Sequence, residues 1–334
     1  MHAYLIKRGL STLLSILGVT FLVFTISHLV PADPVAVYLG PQATADQVES
    51  LKEEWGLNKP VIVQYGIFLK NLAQGNLGFS MVSRRPVAEE LLYYFPATFE
   101  LTLVSMAFAI LMGLLIGIVS ALKRNHIIDH LARIYSIVGI SIPIFWLGLL
   151  LLLIFYVYLG WLPGGGRIGH GIEVKNITGL LIVDSIVTGN WPGLWSSLTH
   201  LILPGYCLAS AVIATIARIT RSSVLQVIGE DFVQAARAKG ISETKVIGKH
   251  VLKNSILPVL TISGVLYGQL LGGAVLTETI FSWPGMGRYV VRSILHLDFQ
   301  PIMGFTVLCA LLYAFFNLLV DILYSMINPQ IRLD

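Results

Sequence analysis

The chain has few charged residues: Asp, Glu, Lys and Arg make up 12% of its 334 residues, against roughly 25% in soluble domains. Hydrophobic residues make up 55% and the mean hydropathy is +0.79. This balance excludes an ordinary soluble protein and predicts an integral membrane protein. Only two cysteines are present, Cys207 and Cys309. Both lie in apolar runs, so we expect them to pack as small hydrophobic residues rather than form a disulfide or a metal site.

Motifs of nucleotide hydrolysis and of common active sites are also missing. The sequence has no G-x-x-x-x-G-K-[ST] phosphate-binding loop, no H-E-x-x-H zinc motif and no G-x-S-x-G nucleophile turn. The single Gly-Lys pair, at 248–249, lacks both the upstream glycine and the hydroxyl residue. We therefore predict that the chain is not an enzyme, holds no metal and binds no cofactor of its own.

Long apolar runs dominate the remaining sequence. Six of them, at 10–30, 98–122, 134–162, 194–217, 255–277 and 299–320, can each cross a bilayer, which takes about 20 helical residues. Pro143 is expected to kink the third run. The first run is longer than the apolar core of a signal peptide, and no A-x-A site follows it, which favours a retained signal anchor. The predicted fold is an all-α bundle of six transmembrane helices.

The distribution of Lys and Arg sets the orientation of this bundle. With both termini inside, the inner segments hold 13 of the 22 Lys and Arg residues and the longer outer segments hold nine. This predicts a multi-pass membrane protein with both termini in the cytosol. The expected parts are a signal-anchor span (1–30), an extracytoplasmic domain (31–97) and a five-span core (98–334) that contains a cytosolic loop (218–254).

That cytosolic loop contains the stretch "GEDFVQAARAKGISETKVIGKHVLKNSILP", residues 229–258, which holds eight charged residues. Glu230 and Asp231 suit a helix start, and Gly240 suits a helix end. Ser242 is expected to cap a second helix. The loop is therefore predicted to fold into two short helices around a glycine turn.

Two interpretations of this segment are open. In one, it is a solvated loop whose lysines, with Lys245, Lys249 and Lys253 in one stripe, only fix the topology. In the other, the small side chains of Ala235 and its neighbours let another protein approach the backbone. Because ordered helices are not needed in a passive connection, the pattern favours docking.

The residues "QAARAKG…HVLKNSILP" resemble the cytosolic coupling motif of ABC importer permeases of the dipeptide, oligopeptide and nickel group. Gln234 stands where that motif usually has a glutamate. Further matches follow in order along nearly the whole chain: "VPADP" (30–34), "GNLGFS" (75–80), "SIPIFW" (141–146), "ETIFSWPGMGRY" (278–289) and "INPQIR" (327–332). The outer domain at 31–97 resembles that of the B-type permease subunit.

This resemblance implies a permease subunit of an ATP-driven importer in the bacterial inner (plasma) membrane, with dipeptides or oligopeptides as the first choice of solute. Its implied partners are a homologous second permease subunit, two ATPase subunits that hold ATP and Mg, an extracytoplasmic solute-binding protein and membrane lipid, but no nucleic acid. The residues it assigns to coupling with the ATPase subunit are Glu230, Asp231, Gln234, Ala235, Ala236, Arg237, Lys239, Gly240, His250, Asn254 and Pro258.

Two further candidate sites lie towards the outer face and in the membrane. The outer segment is interpreted either as an interfacial loop anchored by aromatic side chains or as a gate or binding-protein contact made by Glu278, Phe281, Trp283, Pro284, Gly285, Gly287 and Arg288. Gln269, in mid-span, is a candidate for the translocation path or for a helix–helix hydrogen bond. The glycines near it, Gly272 and Gly273 among them, are expected to permit close helix packing.

Alternatives remain at two levels. Within the family, the solute could be a nickel chelate, glutathione or an opine. Outside it, a stand-alone secondary transporter would be expected to carry ionisable groups near mid-membrane and an internal repeat. Neither is clear in this sequence, and a membrane enzyme would need a catalytic constellation that the sequence lacks.

Overall fold

The computed structural model describes residues 2–29, 35, 39, 44–54 and 57–327. Their secondary structure is helical, with one isolated bridge and no strand, which confirms the all-α fold. The sequence "VPADP" and the last five residues of "INPQIR" lie outside these ranges, as does Gly56, a glycine that the sequence predicts as the end of a short outer helix. The helices are α1 (His2–Leu29), α2 (Ala45–Glu54), α3 (Val61–Ala73), α4 (Val87–Leu122), α5 (Ile127–Ser141), α6 (Ile144–Leu151), α7 (Leu181–Val187), α8 (Trp191–Ile228), α9 (Asp231–Ala238), α10 (Glu243–Lys245), α11 (Leu252–Ser255), α12 (Leu257–Ile280), α13 (Met286–Leu295) and α14 (Phe299–Ile327).

The membrane spans are five continuous helices and one broken pair. Helices α1, α4, α8, α12 and α14 are each long and apolar enough to cross a bilayer. The sixth crossing consists of α5 and α6, the latter continued by a π-helical segment (Leu152–Tyr158), bent by 108° where they meet. The expected kink at Pro143 is thus a full break, because both Ile142 and Pro143 are extended, with ψ angles of 124° and 136°. A residue before proline is driven out of the helical region, and proline supplies no N–H to continue the ladder.

Helices α4 and α8 extend furthest beyond their apolar runs. Helix α4 begins at Val87 rather than 98, and α8 ends at Ile228 rather than 217. Hydropathy marks only the part of a helix that suits hydrocarbon, and a helix continues into water while its residues allow. Glu89 and Glu90 in the first turn of α4 favour such an extension through the helix dipole.

The start of α2 is capped by Thr44. From the sequence alone, the acidic Asp46 is an equally suitable N-cap, and that interpretation is wrong. The backbone N–H of Gln47 donates to Thr44 Oγ1 at 3.4 Å, and the Thr44 N–H donates to Gln47 Oε1 at 3.1 Å. This reciprocal pair is a capping box, and Asp46 lies inside the first turn.

The chain forms two compact units, residues 1–96 with 284–314 and residues 97–283 with 315–333. In the first unit, Val87, Leu91 and Met286 form a buried cluster. In the second unit, Cys207 is fully buried with Leu203 and Phe281, and it is a free thiol. Its expected role as a small packing residue is confirmed.

Within the second unit, α4 and α8 approach each other closely at two glycines of α4. A Cβ atom at Gly113 would lie 2.6 Å from Ile216 Cβ, and one at Gly117 would lie 2.6 Å from the Ala217 carbonyl oxygen. These two glycines form a G-x-x-x-G pair, the small-residue pattern of closely packed membrane helices. The sequence interpretation placed such packing near Gly272 and Gly273. A Cβ atom at Gly273 would lie 3.1 Å from Leu208 Cδ1, which confirms close packing there, whereas one at Gly272 would have no atom of this chain within 4 Å.

The Gly117→Ala variant should be destabilised, because the added methyl meets the backbone of α8, which cannot rotate away. Overpacking of this kind costs about 1–3 kcal/mol, and the readout is the thermal unfolding midpoint of the purified chain in detergent. The matched control is Gly272→Ala, also in a spanning helix, which should leave the midpoint unchanged or raise it. Equal midpoints for both variants would contradict the close approach of α4 and α8.

Candidate functional site

The cytosolic segment 229–258 is held against the inner ends of α4 and α8 by one apolar cluster. Val233 and Ala236 of α9 are buried against Ala121 of α4 and Val224 of α8. The cluster is completed by Val246 and Val251, the first and last residues of the π-helical segment that follows α10. We call these six residues the inner cluster. Because α9 packs on the spanning helices, the segment is a folded part of the bundle rather than a free loop.

The turn between α9 and α10 has the geometry that its glycine predicts. Gly240 has a φ of +74°, the left-handed region that glycine adopts without strain. Its N–H donates to the Arg237 carbonyl, and the Ile241 N–H donates to the Ala236 carbonyl, the paired bonds of a Schellman motif. Ser242 precedes α10 as expected, but its side chain makes no capping bond; its carbonyl accepts the first helical bonds instead.

An ion pair fixes the angle between α9 and α10. Arg237 donates through Nη2 to Glu243 Oε1 at 2.6 Å and through Nε to Oε2 at 3.1 Å. This bond lowers the pKa of the Glu243 carboxyl and raises the pKa of the Arg237 guanidinium. Both side chains are exposed, so the pair orients the turn more than it stabilises the fold.

The exposed face of α9 includes residues that the sequence interpretation named and one that it missed. Gln234 and Ala235 are exposed, whereas Ala236 points into the inner cluster and is not available to a partner. Phe232, three residues before Ala235 and therefore on the same face, is 45% exposed. An aromatic residue in an otherwise polar cytosolic helix is the signal that could have identified it. Five further coupling candidates in or beside α9 are also exposed: Glu230, Asp231, Arg237, Lys239 and Gly240.

The second half of the segment joins it to α12. Asn254 Nδ2 donates to the His250 carbonyl at 2.7 Å, and Ser223 Oγ of α8 donates to the Ser255 carbonyl at 2.9 Å. Pro258 lies in the first turn of α12, where proline is tolerated because its missing N–H has no helical partner there. His250, Asn254 and Pro258 therefore shape the entry into the next span. The three lysines of the stripe are all exposed.

Towards the outer side of the second unit, Glu278 at the end of α12 is fully buried. Thr98 Oγ1 of α4 donates to Glu278 Oε1 at 2.6 Å. Trp283 Nε1 donates to the Ala97 carbonyl at 2.9 Å. Phe281 and Trp283 are each 1% exposed, so the interpretation of these rings as interfacial anchors is wrong: they lie in the protein interior.

A second buried acidic residue, Glu100 of α4, holds the outer loop that precedes α7, a feature that sequence reasoning missed. Arg167 Nη2 donates to Glu100 Oε2 at 2.6 Å, and the Ile182 N–H donates to Glu100 Oε1 at 2.8 Å. Both partners of this ion pair are largely buried. Asp184 of α7 is also buried. Burial raises the pKa of its carboxyl, but hydrogen bonds from Thr178 and adjacent backbone N–H groups outweigh this and leave the pKa lowered.

In the first unit, the remaining outer candidates lie around α13. Pro284 and Arg288 are exposed, whereas Gly285 and Gly287 are buried. Tyr289 Oη donates to Glu90 Oε2 at 2.6 Å, and burial together with this bond raises the pKa of Tyr289. The lining of an adjacent cavity of about 310 Å³ includes Pro284, Gly285, Arg288, Tyr289 and Glu90.

Gln269 lies in the middle of α12 and is exposed on the surface of this chain. Tyr267, two residues earlier and on the opposite face, is buried, with its hydroxyl 3.1 Å from Thr102 Oγ1. A polar amide at this depth is unfavourable against lipid. The side chain of Gln269 therefore needs a second protein or an aqueous path beside it.

Comparison with known proteins gives two family matches that together span most of the chain. Residues 113–333 match the model described as "Binding-protein-dependent transport system inner membrane component". Residues 1–102 match the model of the N-terminal part of binding-protein-dependent transport system membrane components.

Similar curated proteins align along nearly their whole length. The chain is 45% identical to a dipeptide transport system permease protein of Alkalihalophilus pseudofirmus, covering 99% of this chain and 100% of that protein. It is 42% identical to a probable D,D-dipeptide transport system permease protein of Escherichia coli K12 (97% and 96% covered) and 40% identical to a glutathione transport system permease protein of E. coli O6:H1 (99% of each). A solved structure of the MetNI methionine ABC transporter, in inward-facing conformations, matches with a TM-score of 0.53 at 16% identity, over 71% of this chain and 96% of that chain, and shows the same fold.

The inner cluster predicts opposite outcomes for two adjacent residues of α9. Val233→Asp should release α9, since a carboxylate in the apolar cluster has no partner and its burial is unfavourable. Trypsin should then cut after Arg237 or Lys239 at least about tenfold faster, because cleavage follows the population of the open segment. Phe232→Ser, the matched control on the exposed face, should leave the rate unchanged. Equal rates for the two variants would contradict the packing of α9.

Proposed function

This chain belongs to the family of binding-protein-dependent transport system inner membrane components, and we propose that the solute it imports is a dipeptide. It is the multi-pass inner membrane permease subunit of an ABC importer, and its family works with ATPase and solute-binding components. The observation that carries the proposed solute is full-length identity of 38–45% to permeases whose names specify dipeptides.

Coupling to ATP hydrolysis is proposed to occur at the exposed face of α9. This face combines an exposed ring, Phe232, with the small Ala235, so that a cleft on an ATPase subunit can enclose the ring and approach the helix backbone. The opposite face of α9 is packed on α4 and α8 through the inner cluster. A movement of α9 is therefore transmitted directly to α4 and α8, because no flexible loop lies between them and α9.

The hydrolytic steps are proposed to belong entirely to partner chains. Two ATPase subunits would hold ATP and Mg, in keeping with the missing phosphate-binding loop of this sequence. A homologous second permease subunit would complete the translocation path. Gln269, exposed at mid-span, is proposed to face that path.

The outer end is proposed to act as the gate and to receive the solute-binding protein. The bonds of Thr98 to Glu278 and of Glu100 to Arg167 join α4 to α12 and to the outer loop. Opening the path outward requires these contacts to loosen. The exposed Pro284 and Arg288, with the extracytoplasmic residues 31–97, are the proposed contact for the binding protein.

Glutathione is the second candidate solute, supported by the 40% identical glutathione permease. It is a peptide too, but it is larger than a dipeptide and carries a γ-linked glutamate. Discrimination between the two is therefore a matter of size and of the backbone groups near the first peptide bond.

Uptake measurements separate these solutes. Cells without their own dipeptide and glutathione importers would express the chain with the ATPase, second permease and binding-protein subunits of the same importer. We expect uptake of radiolabelled Ala-Ala that is lost when this chain is omitted and unaffected by a hundredfold excess of glutathione. Uptake of labelled glutathione but not of Ala-Ala would contradict the proposed solute while leaving the importer assignment intact.

A further inference from the structure

A cavity of about 530 Å³ opens between α4, α5 and α8 near their cytosolic ends. Three arginines, Arg133, Arg218 and Arg221, are among its walls, and the proposed function uses none of them. Its other lining residues are Ile116, Ser120, Ala132, Ser136, Ile137, Ile140, Ser141, Ala217 and Ser222. All belong to the second unit. We call it the inner-leaflet cavity, because its basic residues lie beside the predicted inner membrane boundary.

One of the three arginines is neutralised within the chain. Arg221 donates to the carboxylate of the fully buried Asp129, through Nε at 2.7 Å and through Nη2 at 2.9 Å. Ser120 Oγ and the Asn125 N–H also donate to this carboxylate, at 2.7 and 3.0 Å. All strong acceptor positions of the Asp129 carboxylate are thus used. The ion pair of Asp129 with Arg221 holds the cavity wall in place and adds no net charge to it.

The other two arginines leave the cavity with excess positive charge. Arg133 is 3.9 Å from the already paired Asp129 and 2.6 Å from His130 Nδ1. Arg218 is exposed, and among the residues that the structure describes no carboxylate lies within ion-pairing distance of it. The connection between α4 and α5 adds Lys123, Arg124 and His126, all exposed. These surroundings favour an anionic ligand.

The cavity is basic at the end near the start of α5 and apolar further along the helices. Arg133 is near the cytosolic start of α5, whereas Ile137 and Ile140 are one to two turns deeper into the span. Ile116 is likewise one turn deeper than Ser120 on α4. Two of the deeper hydroxyls, Ser136 and Ser141, donate to carbonyls of their own helix, so they present no unsatisfied donor to an apolar ligand.

We propose that the inner-leaflet cavity binds an anionic phospholipid from the inner leaflet, with its phosphate between Arg133 and Arg218 and an acyl chain along the three isoleucines. Basic pockets between helices on the cytosolic side suit phosphate headgroups. Guanidinium groups match phosphate oxygens in charge and geometry. A soluble anion would make no use of the apolar depth of the cavity, whereas a lipid matches both ends.

Lipid retention by the full-length chain tests this site. The chain would be purified in mild detergent with a fixed mixture of phosphatidylglycerol and phosphatidylethanolamine, and the bound lipid would be counted by native mass spectrometry. The double variant Arg133→Gln/Arg218→Gln should bind phosphatidylglycerol about thirtyfold more weakly, since each basic side chain near a membrane surface contributes about 1 kcal/mol and each 1.4 kcal/mol is a factor of ten. Binding of phosphatidylethanolamine should not change.

Two further variants separate the cavity from general surface charge. Ala132→Phe keeps every charge but fills the cavity, and it should also lose phosphatidylglycerol. Lys249→Gln/Lys253→Gln removes two exposed charges on the same side of the membrane but outside the cavity, and it should retain the lipid. Equal retention by wild type and the arginine variant would overturn the proposal. Displacement of the lipid by millimolar glycerol 3-phosphate would do so too, because the site would then select a free phosphate.

Discussion

The close contact between α4 and α8 at Gly113 and Gly117 is the constraint on which the rest of the cytosolic side depends. With no side chain at these positions, the two helices approach to backbone distance. One turn further towards the cytosol, Val233 of α9 packs against Ala121 and Val224. If α4 and α8 were further apart, Val233 could not contact both helices and α9 would lose part of its buried packing.

Helix α4 also joins the two ends of the second unit. Its outer part carries Thr98 and Glu100, bonded to Glu278 and Arg167, and its inner part carries Ala121. These ends are about 35 Å apart at 1.5 Å per helical residue. A continuous helix over this distance moves as a body, so the outer contacts and the proposed docking face of α9 cannot shift independently. Alternating access through rigid-body motion needs a connection of this kind.

Much of this architecture could be predicted from local sequence, and the remainder depends on distant contacts. The spans follow from hydropathy, and the left-handed turn at Gly240 follows from the residue itself. At Pro143 the sequence predicts only a kink. The angle between the helices on either side of it depends on the helices packed around them, which a proline in an apolar run does not indicate. The burial of Trp283 and the pairing of Arg167 with Glu100, 67 residues away, depend on which helices are adjacent. Periodicity within one segment holds no information on that.

The central claim, that the exposed face of α9 is the docking surface for the ATPase subunit, is tested most directly by cross-linking. A chain with Cys207 and Cys309 replaced by alanine would carry a single cysteine in place of exposed Ala235, or in place of exposed Lys175 on the outer side as the matched control. With a short thiol–amine cross-linker in membranes that contain the whole importer, the account predicts an adduct between the chain and an ATPase subunit from position 235 and none from position 175. A complete absence of that adduct in a complex that still imports its solute would contradict it.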